Sequence, residues 1–452
     1  MTPHGTPTPS REAARATRRS IAIARPDAPT LARLAVGTSL LVAMSILAAP
    51  ALARDTTAVG GAVEGTWMLD RAFEWGTRNT DFPPAFDGQF RAPIQPSGIT
   101  IETEVIADGL THPCGIAALP DGRFLVTEQE GRLRRIASDS TLSEPIGGIP
   151  AVYYEAQGGL LDVALDPNFQ NNRMVHITYA KPLGSDGAGG RMSATAAARG
   201  TLSDDYLEIV GIEDIFVQQP ASPTPKHYGS RILFDSEGHA FITTGEHFSP
   251  KERDYAQDFD KTYGKVIRIN PDGSIPDTNP FRDAPDAEGS IWSLGHRNIQ
   301  GAAIDADGTL YTIEHGPKGG DELNRPKPGK NYGWSIVSYG RQYDGPLIGI
   351  GEASREGFEQ PLYFWDPVIA PGGMAFYSGD MFPEWNGDLL IGSYVAKGVV
   401  RLDMEDGRVV GEERFLNDLG RIRDVIVLDD GSLVLLTDKQ DGEVVRATRV
   451  EG

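Results

Sequence analysis

One pattern recurs along most of this chain: an apolar strand, a turn built on Asp-Gly or an equivalent pair, and a second apolar strand. It occupies residues 115–136, 161–180, 231–247, 301–316, 374–403 and 424–447, six copies in all. Within each copy apolar and polar positions alternate through β-branched and aromatic residues, the mark of a hairpin with one face buried. Hairpins recurring at uneven intervals of roughly 45 to 80 residues predict the blades of a propeller with insertions between them. No stretch after Ala53 sustains a helical apolar stripe, so little helix is expected. The reading is therefore all-β, a six-bladed β-propeller over residues 96–452, preceded by an extended arm over 54–95. The last copy ends near the C-terminus, so the ring could close by pairing the two chain ends in one blade, which removes a free sheet edge. The Gly- and Ala-rich piece near 184–200 reads as a surface excursion between strands, and Trp334, Trp365 and Trp385 as wedges between blades.

The first 53 residues belong to a different class. Six arginines precede an apolar run from Leu34 to Ala49, which ends at Ala51-Leu52-Ala53, the pattern of a cleaved export signal. The run is short for a membrane crossing, so no stable membrane insertion is expected after cleavage, and the mature protein is periplasmic or secreted. Arg18-Arg19 could be a twin-arginine address, although ordinary secretion accounts for the segment as well. Removing it takes away six Arg against Glu12 and Asp27, which moves the net charge from −21 to about −25. Such an acidic chain is a poor partner for nucleic acid or an anionic membrane, and an anionic cofactor would need local cations. The only cysteine is Cys114, which excludes an intramolecular disulfide and reads as a buried thiol.

In a propeller the natural pocket is the mouth of the central channel, lined by loops next to the innermost strands. Polar clusters sit at comparable places in several copies: Gln157-Gly158-Gly159, Lys226-His227-Tyr228, Gly245-Glu246-His247, His296-Arg297-Asn298, Glu314-His315-Gly316-Pro317 and Arg421-Ile422-Arg423-Asp424. His227 could be a general base with Glu246 to orient it, or a loop histidine bonded to backbone. Arg297, Arg421 and Arg423 could bind carboxylates with their planar forks or form salt bridges between blades. Gly316 and Pro317 could offer carbonyls to a hard cation such as Ca²⁺, or make a simple turn.

Six stretches then converge on one family: QGGLLDVA (157–164), GKVIRINPDGSIP (264–276), GHRNIQG (295–301), GPKGGDELN (316–324), NYGW (331–334) and RIRDV (421–425). Together they resemble the soluble glucose/sorbosone dehydrogenases, and more closely the shorter, aldose sugar dehydrogenase branch. The resemblance implies a six-bladed propeller that binds pyrroloquinoline quinone (PQQ) and Ca²⁺ over the channel mouth. It further implies oxidation of an aldose sugar at its anomeric carbon to the lactone, with electrons passed to an external acceptor. By this resemblance His227 takes the hydroxyl proton, while Gln157 and Arg297 border the sugar and the reacting carbonyl. Arg297, Asn298, Arg421 and Arg423 clamp the cofactor, and Gly316 and Pro317 hold the metal. Glu246 stands where the glucose enzyme has an Asp. The lysine expected after the fifth hairpin does not align cleanly: Lys397 is the nearest candidate, with Val395 in the ungapped place. Two other functions suit a propeller of this size, a calcium-dependent sugar lactonase and a non-catalytic binding module. The clustered arginines favour the redox reading, because a neutral lactone has no use for several guanidiniums.

Overall fold

The computed structural model describes residues 64–450, so the expected export signal lies outside the described residues. Those residues form six sheets in chain order, a six-bladed β-propeller. The innermost strands are Pro113–Ala118, Leu160–Leu165, Gly229–Phe234, Ile299–Ile304, Pro371–Phe376 and Ile422–Val427, in blades 1 to 6, and each packs against its neighbours around the channel. Helix among the described residues amounts to the four-residue turn Phe169–Asn172 and three short 3₁₀ turns.

The turn chemistry explains why the hairpins form where they do. In blades 3 and 4 the carboxylates of Asp235 and Asp305 accept backbone N–H groups two and four residues on, at 2.8–3.0 Å, while Gly238 and Gly308 take the left-handed conformation the turn requires. The mouth ends of the inner strands share a second feature. All six inner pairings shift register within their first few residues, as between Gly229 and Ile232 or between Ile422 and Asp424. A bulge at that place re-aims side chains that would otherwise follow the pleat.

The expected closure is present. Strand Thr100–Leu110 pairs antiparallel with Gly442–Arg449, with Ile101 opposite Arg449 and Val105 opposite Val445. Gly65–Met68 adds an outer strand to the same blade. The rest of the arm runs over blades 4 and 5, where the backbone N–H groups of Asn79 and Thr80 donate to Asp366 at 2.9 Å and that of Ser97 donates to Glu413 at 2.8 Å.

Two expectations need correction. Much of the Ala-rich stretch is not a surface excursion: Arg191–Leu202 is a central strand of blade 2, with Ala194, Ala196 and Ala197 fully buried, and only the turn from 186 to 190 lies outside the strands. Small side chains there let neighbouring elements approach closely, so the composition reflects packing. Trp365 and Trp385 do wedge between blades, the first donating to the buried Glu412 of blade 5 at 3.0 Å. Trp334 instead lies beneath the Arg297 guanidinium, 5.2 Å from it.

Below the mouth the channel is crossed by a knot of charge. Arg231 of blade 3 donates to Asp162 of blade 2 at 3.1 Å, to Asp424 of blade 6 at 2.6 Å and to the Gln300 carbonyl of blade 4 at 2.7 Å. Both carboxylates also accept backbone N–H groups, so each oxygen has at least one donor. Glycines make the room: a Cβ at Gly373 would run into the Asp424 carboxylate and the Arg231 guanidinium, and one at Gly115 into Asp162. Removing one member of such a buried network leaves charge uncompensated. Arg231→Met should therefore lower the unfolding free energy by about 3–5 kcal/mol, measured by chemical denaturation.

Candidate active site at the channel mouth

His227 stands two residues before the inner strand of blade 3, and its backbone is left-handed at φ 50°. It is held from both sides: its N–H donates to Gln157 Oε1 at 2.7 Å, and its Nδ1 lies 2.7 Å from Glu246 Oε1. Glu246 is buried and is set by its own N–H, which donates to the Arg297 carbonyl at 3.0 Å. Gly245 must lack a side chain, because a Cβ there would overlap the His227 carbonyl. Burial, then the nearby Arg297 and Lys226 charges, push the His227 pKa well below the usual histidine range. The imidazole is thus neutral, and with Nδ1–H given to the carboxylate, Nε2 is left as the basic atom. Burial pushes Glu246 up to about 7.

Arg297 comes from the loop that opens blade 4. Its N–H is held by Glu314, and its guanidinium donates to the His315 carbonyl at 2.9 Å, over Trp334. Asn298 Oδ1 accepts the Gly229 N–H at 3.1 Å, which ties this loop to the strand after His227. Of the predicted residues, Gln157, Asn298, Arg421 and Arg423 line one cavity of about 240 Å³. Arg423 is held by the Tyr394 hydroxyl, and its Nε is buried without a partner. Arg421 is half exposed, bonds Asp438 at 2.7 Å and stacks on the Tyr394 ring at 4.5 Å.

Gly316 and Pro317 line a small adjoining cavity of about 10 Å³ together with Arg297, Glu314 and Glu322. Glu314 and Glu322 are directly opposed on neighbouring strands, with the Asn324 amide reaching both at 3.0 and 3.5 Å. Burial and then the Glu314 charge push Glu322 well above the carboxylate range. Asp321, which accepts the Gly316 N–H at 2.8 Å, is pushed up by burial to about 7. Carboxylates and carbonyls so crowded form a hard-oxygen donor set. The other acidic group, Asp235, Glu237 and His239, lies on the blade 3 turn at the far end of the inner strand, and Arg268 already donates to His239 there at 2.8 Å.

Residues 110–446 match the family model described as Glucose / Sorbosone dehydrogenase. The chain belongs to the glucose/sorbosone dehydrogenase family. It is 41% identical to the aldose sugar dehydrogenase YliI of Escherichia coli over 355 residues, which is 77% of this chain and 93% of that protein. It is 26% identical to quinoprotein glucose dehydrogenase B of Acinetobacter calcoaceticus, covering 78% of this chain and 89% of that one. Among solved structures, the apo form of the Escherichia coli soluble aldose sugar dehydrogenase superposes with a TM-score of 0.74 at 39% identity, over 77% of this chain and all of that one. The PQQ-bound aldose sugar dehydrogenase of Streptomyces coelicolor gives 0.64 at 25%, over 79% and 100%.

As a glucose/sorbosone dehydrogenase family member, the chain places three predicted residues, His227, Glu246 and Lys397, outside the lining of both cavities. Lys397 is exposed and outside the mouth cavity, because it takes a left-handed turn at φ 61° and its carbonyl is tied to Asn417. The residue of that loop which lines the cavity is Tyr394. Sequence reasoning also missed His315, which lines both cavities, although it stands inside the quoted Glu314–Pro317 cluster. Cys114 is buried as expected, yet it too borders the larger cavity, and burial keeps its thiol protonated. From the His227 environment we expect its imidazole to stay neutral when pH falls through 6.5, the ordinary histidine value. Nitrogen-15 chemical shifts of the ring will check this.

Proposed function

We propose that this chain oxidises an aldose sugar at its anomeric carbon to the lactone, using PQQ and Ca²⁺ at the channel mouth, and passes the electrons to an external acceptor. One observation carries the reading: a neutral, carboxylate-held imidazole stands beside a cavity whose wall carries guanidiniums, in a chain of formal charge −21. PQQ is an ortho-quinone with three carboxylates, and the residues present suit it. The buried Arg423 Nε has no protein partner, and Arg421, Asn298 and Gln157 border the same space. For the metal, the carbonyls of Gly316 and Pro317 are the proposed ligands, and the crowded Glu314 and Glu322 beside them favour a cation. When bound, the quinone would accept hydride and the ion would polarise it as a Lewis acid.

The protein supplies the remaining steps. His227 Nε2 takes the proton of the anomeric hydroxyl, and Glu246 holds the ring so that this nitrogen faces the substrate and steadies the imidazolium that forms. Gln157 fixes the His227 backbone and reaches the cavity, and Arg297, packed on Trp334, presents positive charge where negative charge builds up. The amino-terminal segment fits export to the periplasm or the medium as a cleaved signal.

Reconstitution tests the reading: mature protein with PQQ and Ca²⁺ should reduce an artificial dye when an aldose is added, and chelating the metal should stop it. His227→Ala should keep the quinone and lose turnover by roughly 10²–10⁴-fold. Arg297→Ala should also lower turnover. Because burial holds the Glu246 carboxyl near 7, the His227–Glu246 pair takes up a proton as pH falls through about 7. kcat/KM should therefore rise with pH through that value, and Glu246→Gln should remove or displace the limb.

A further inference from the structure

We propose that Phe248 and Tyr343 form a stepped aromatic floor for the substrate, Phe248 under the sugar ring being oxidised and Tyr343 under a second ring joined to it. This rests on the proposed function, because it places a sugar at His227. The Phe248 ring lies 4.9 Å from the His227 imidazole, edge to face, and the Tyr343 ring lies 6.1 Å from the Phe248 ring, tilted by 59° to it. Their exposures rise outward from the base, from 39% for Phe248 to 61% for Tyr343. Among the described residues, neither belongs to a hydrophobic core cluster.

The backbone shows that Phe248 is held in place at a cost. His247 and Phe248 are consecutive left-handed residues, at φ 60° and 57°, a region that disfavours a bulky aromatic side chain. The Phe248 N–H donates to Glu246 Oε2 at 3.1 Å, and the other oxygen of the same carboxylate holds His227. One side chain therefore fixes both the base and the ring beside it. Tyr343 sits on a tied loop. Arg341 exchanges backbone hydrogen bonds with Lys318 at 3.0 and 3.1 Å, its side chain donates to Gly345 at 2.6 Å, and the Gln342 N–H donates to Pro346 at 2.7 Å. The anchor at Lys318 adjoins Gly316 and Pro317, so the outer ring has a fixed distance to the proposed metal ligands.

The chemistry that suits this floor is a pyranose. One of its faces presents polarised C–H groups, and the negative face of an aromatic ring attracts them while burying apolar area. The Lys226 ammonium already lies over one face of the Phe248 ring, 5.0 Å from its centroid, so the sugar would stack on the opposite face. A second pyranose linked through the non-reducing end of the first would extend from His227 toward Tyr343.

The test uses protein loaded with PQQ and Ca²⁺, with glucose and maltose as substrates. Phe248→Leu, which keeps an apolar side chain without the quadrupole, should raise KM for both sugars by roughly five- to tenfold, and Phe248→Trp should restore it. Tyr343→Ala should raise KM for maltose about fivefold more than for glucose. Saturation transfer from protein to the ring protons of methyl glucoside, which lacks the reacting hydroxyl, should fall in Phe248→Leu. An unchanged KM and unchanged saturation transfer in Phe248→Leu would overturn the floor, as would a loss confined to kcat, which would make Phe248 a support for His227 alone. Equal effects of Tyr343→Ala on the two sugars would remove the outer step. If the loaded protein oxidises no aldose, the proposed function fails, and methyl glucoside transfer then decides the floor by itself.

Discussion

The mouth of this propeller is organised from below, by the buried contact of Arg231 with Asp162 and Asp424. A ring of six inner strands has no intrinsic reason to hold one diameter, since each blade packs mainly on its neighbours. A guanidinium bonded to blades 2, 4 and 6 from blade 3 ties opposite walls together. Ionic contacts in a low-dielectric interior repay their desolvation only with good geometry and further hydrogen bonds to the charged groups. Here the backbone N–H groups of Val163, Ile232 and Val425 supply them to the two carboxylates. The residues immediately above, Arg423 and Gln300, are chain neighbours of this knot or bonded to it, so their placement in the cavity inherits its rigidity.

Charge is distributed unevenly, and that matters more than its total. The chain as a whole is strongly acidic, yet the cavity wall carries two arginines, with Arg297 close by. Arg421 is paired with Asp438 in the open, whereas Arg423 is partly buried and keeps a buried Nε without a partner. The same polarity bears on the proposed base: burial, and then neighbouring positive charge, keeps His227 deprotonated, which suits a proton acceptor. Beside Gly316 and Pro317 the order reverses, with Glu314 and Glu322 crowded at a space of atomic size. Opposite charges set side by side in this way match a ligand that is itself an anion bridged to a cation.

Much of the fold was legible because a hairpin is a local object. Asp-Gly turns and alternating apolar positions appear within twenty residues, and six copies leave few architectures open. The Ala-rich central strand of blade 2 was misread because small residues look like low complexity until the neighbours that need them close are known. At the site, residues before or inside the bulged strand ends, such as His227, Asn298 and Arg423, were visible as polar clusters at repeating places. Tyr394 was not, since a loop's left-handed turn at Lys397 decides which side chain faces inward, and no periodicity encodes that. Phe248 was equally hidden: its significance comes from a backbone twist and a shared carboxylate.

The strand Thr100–Leu110 completes a sheet whose three inner strands are made last, at the opposite end of the chain. Contacts spanning nearly the whole polypeptide are slow to gain because loop-closure entropy must be overcome first. An unfinished chain emerging from the ribosome therefore lacks its sixth wall, and with it Arg423 and Asp424. The knot and the cavity above it come into being together, only after the final segment has been synthesised.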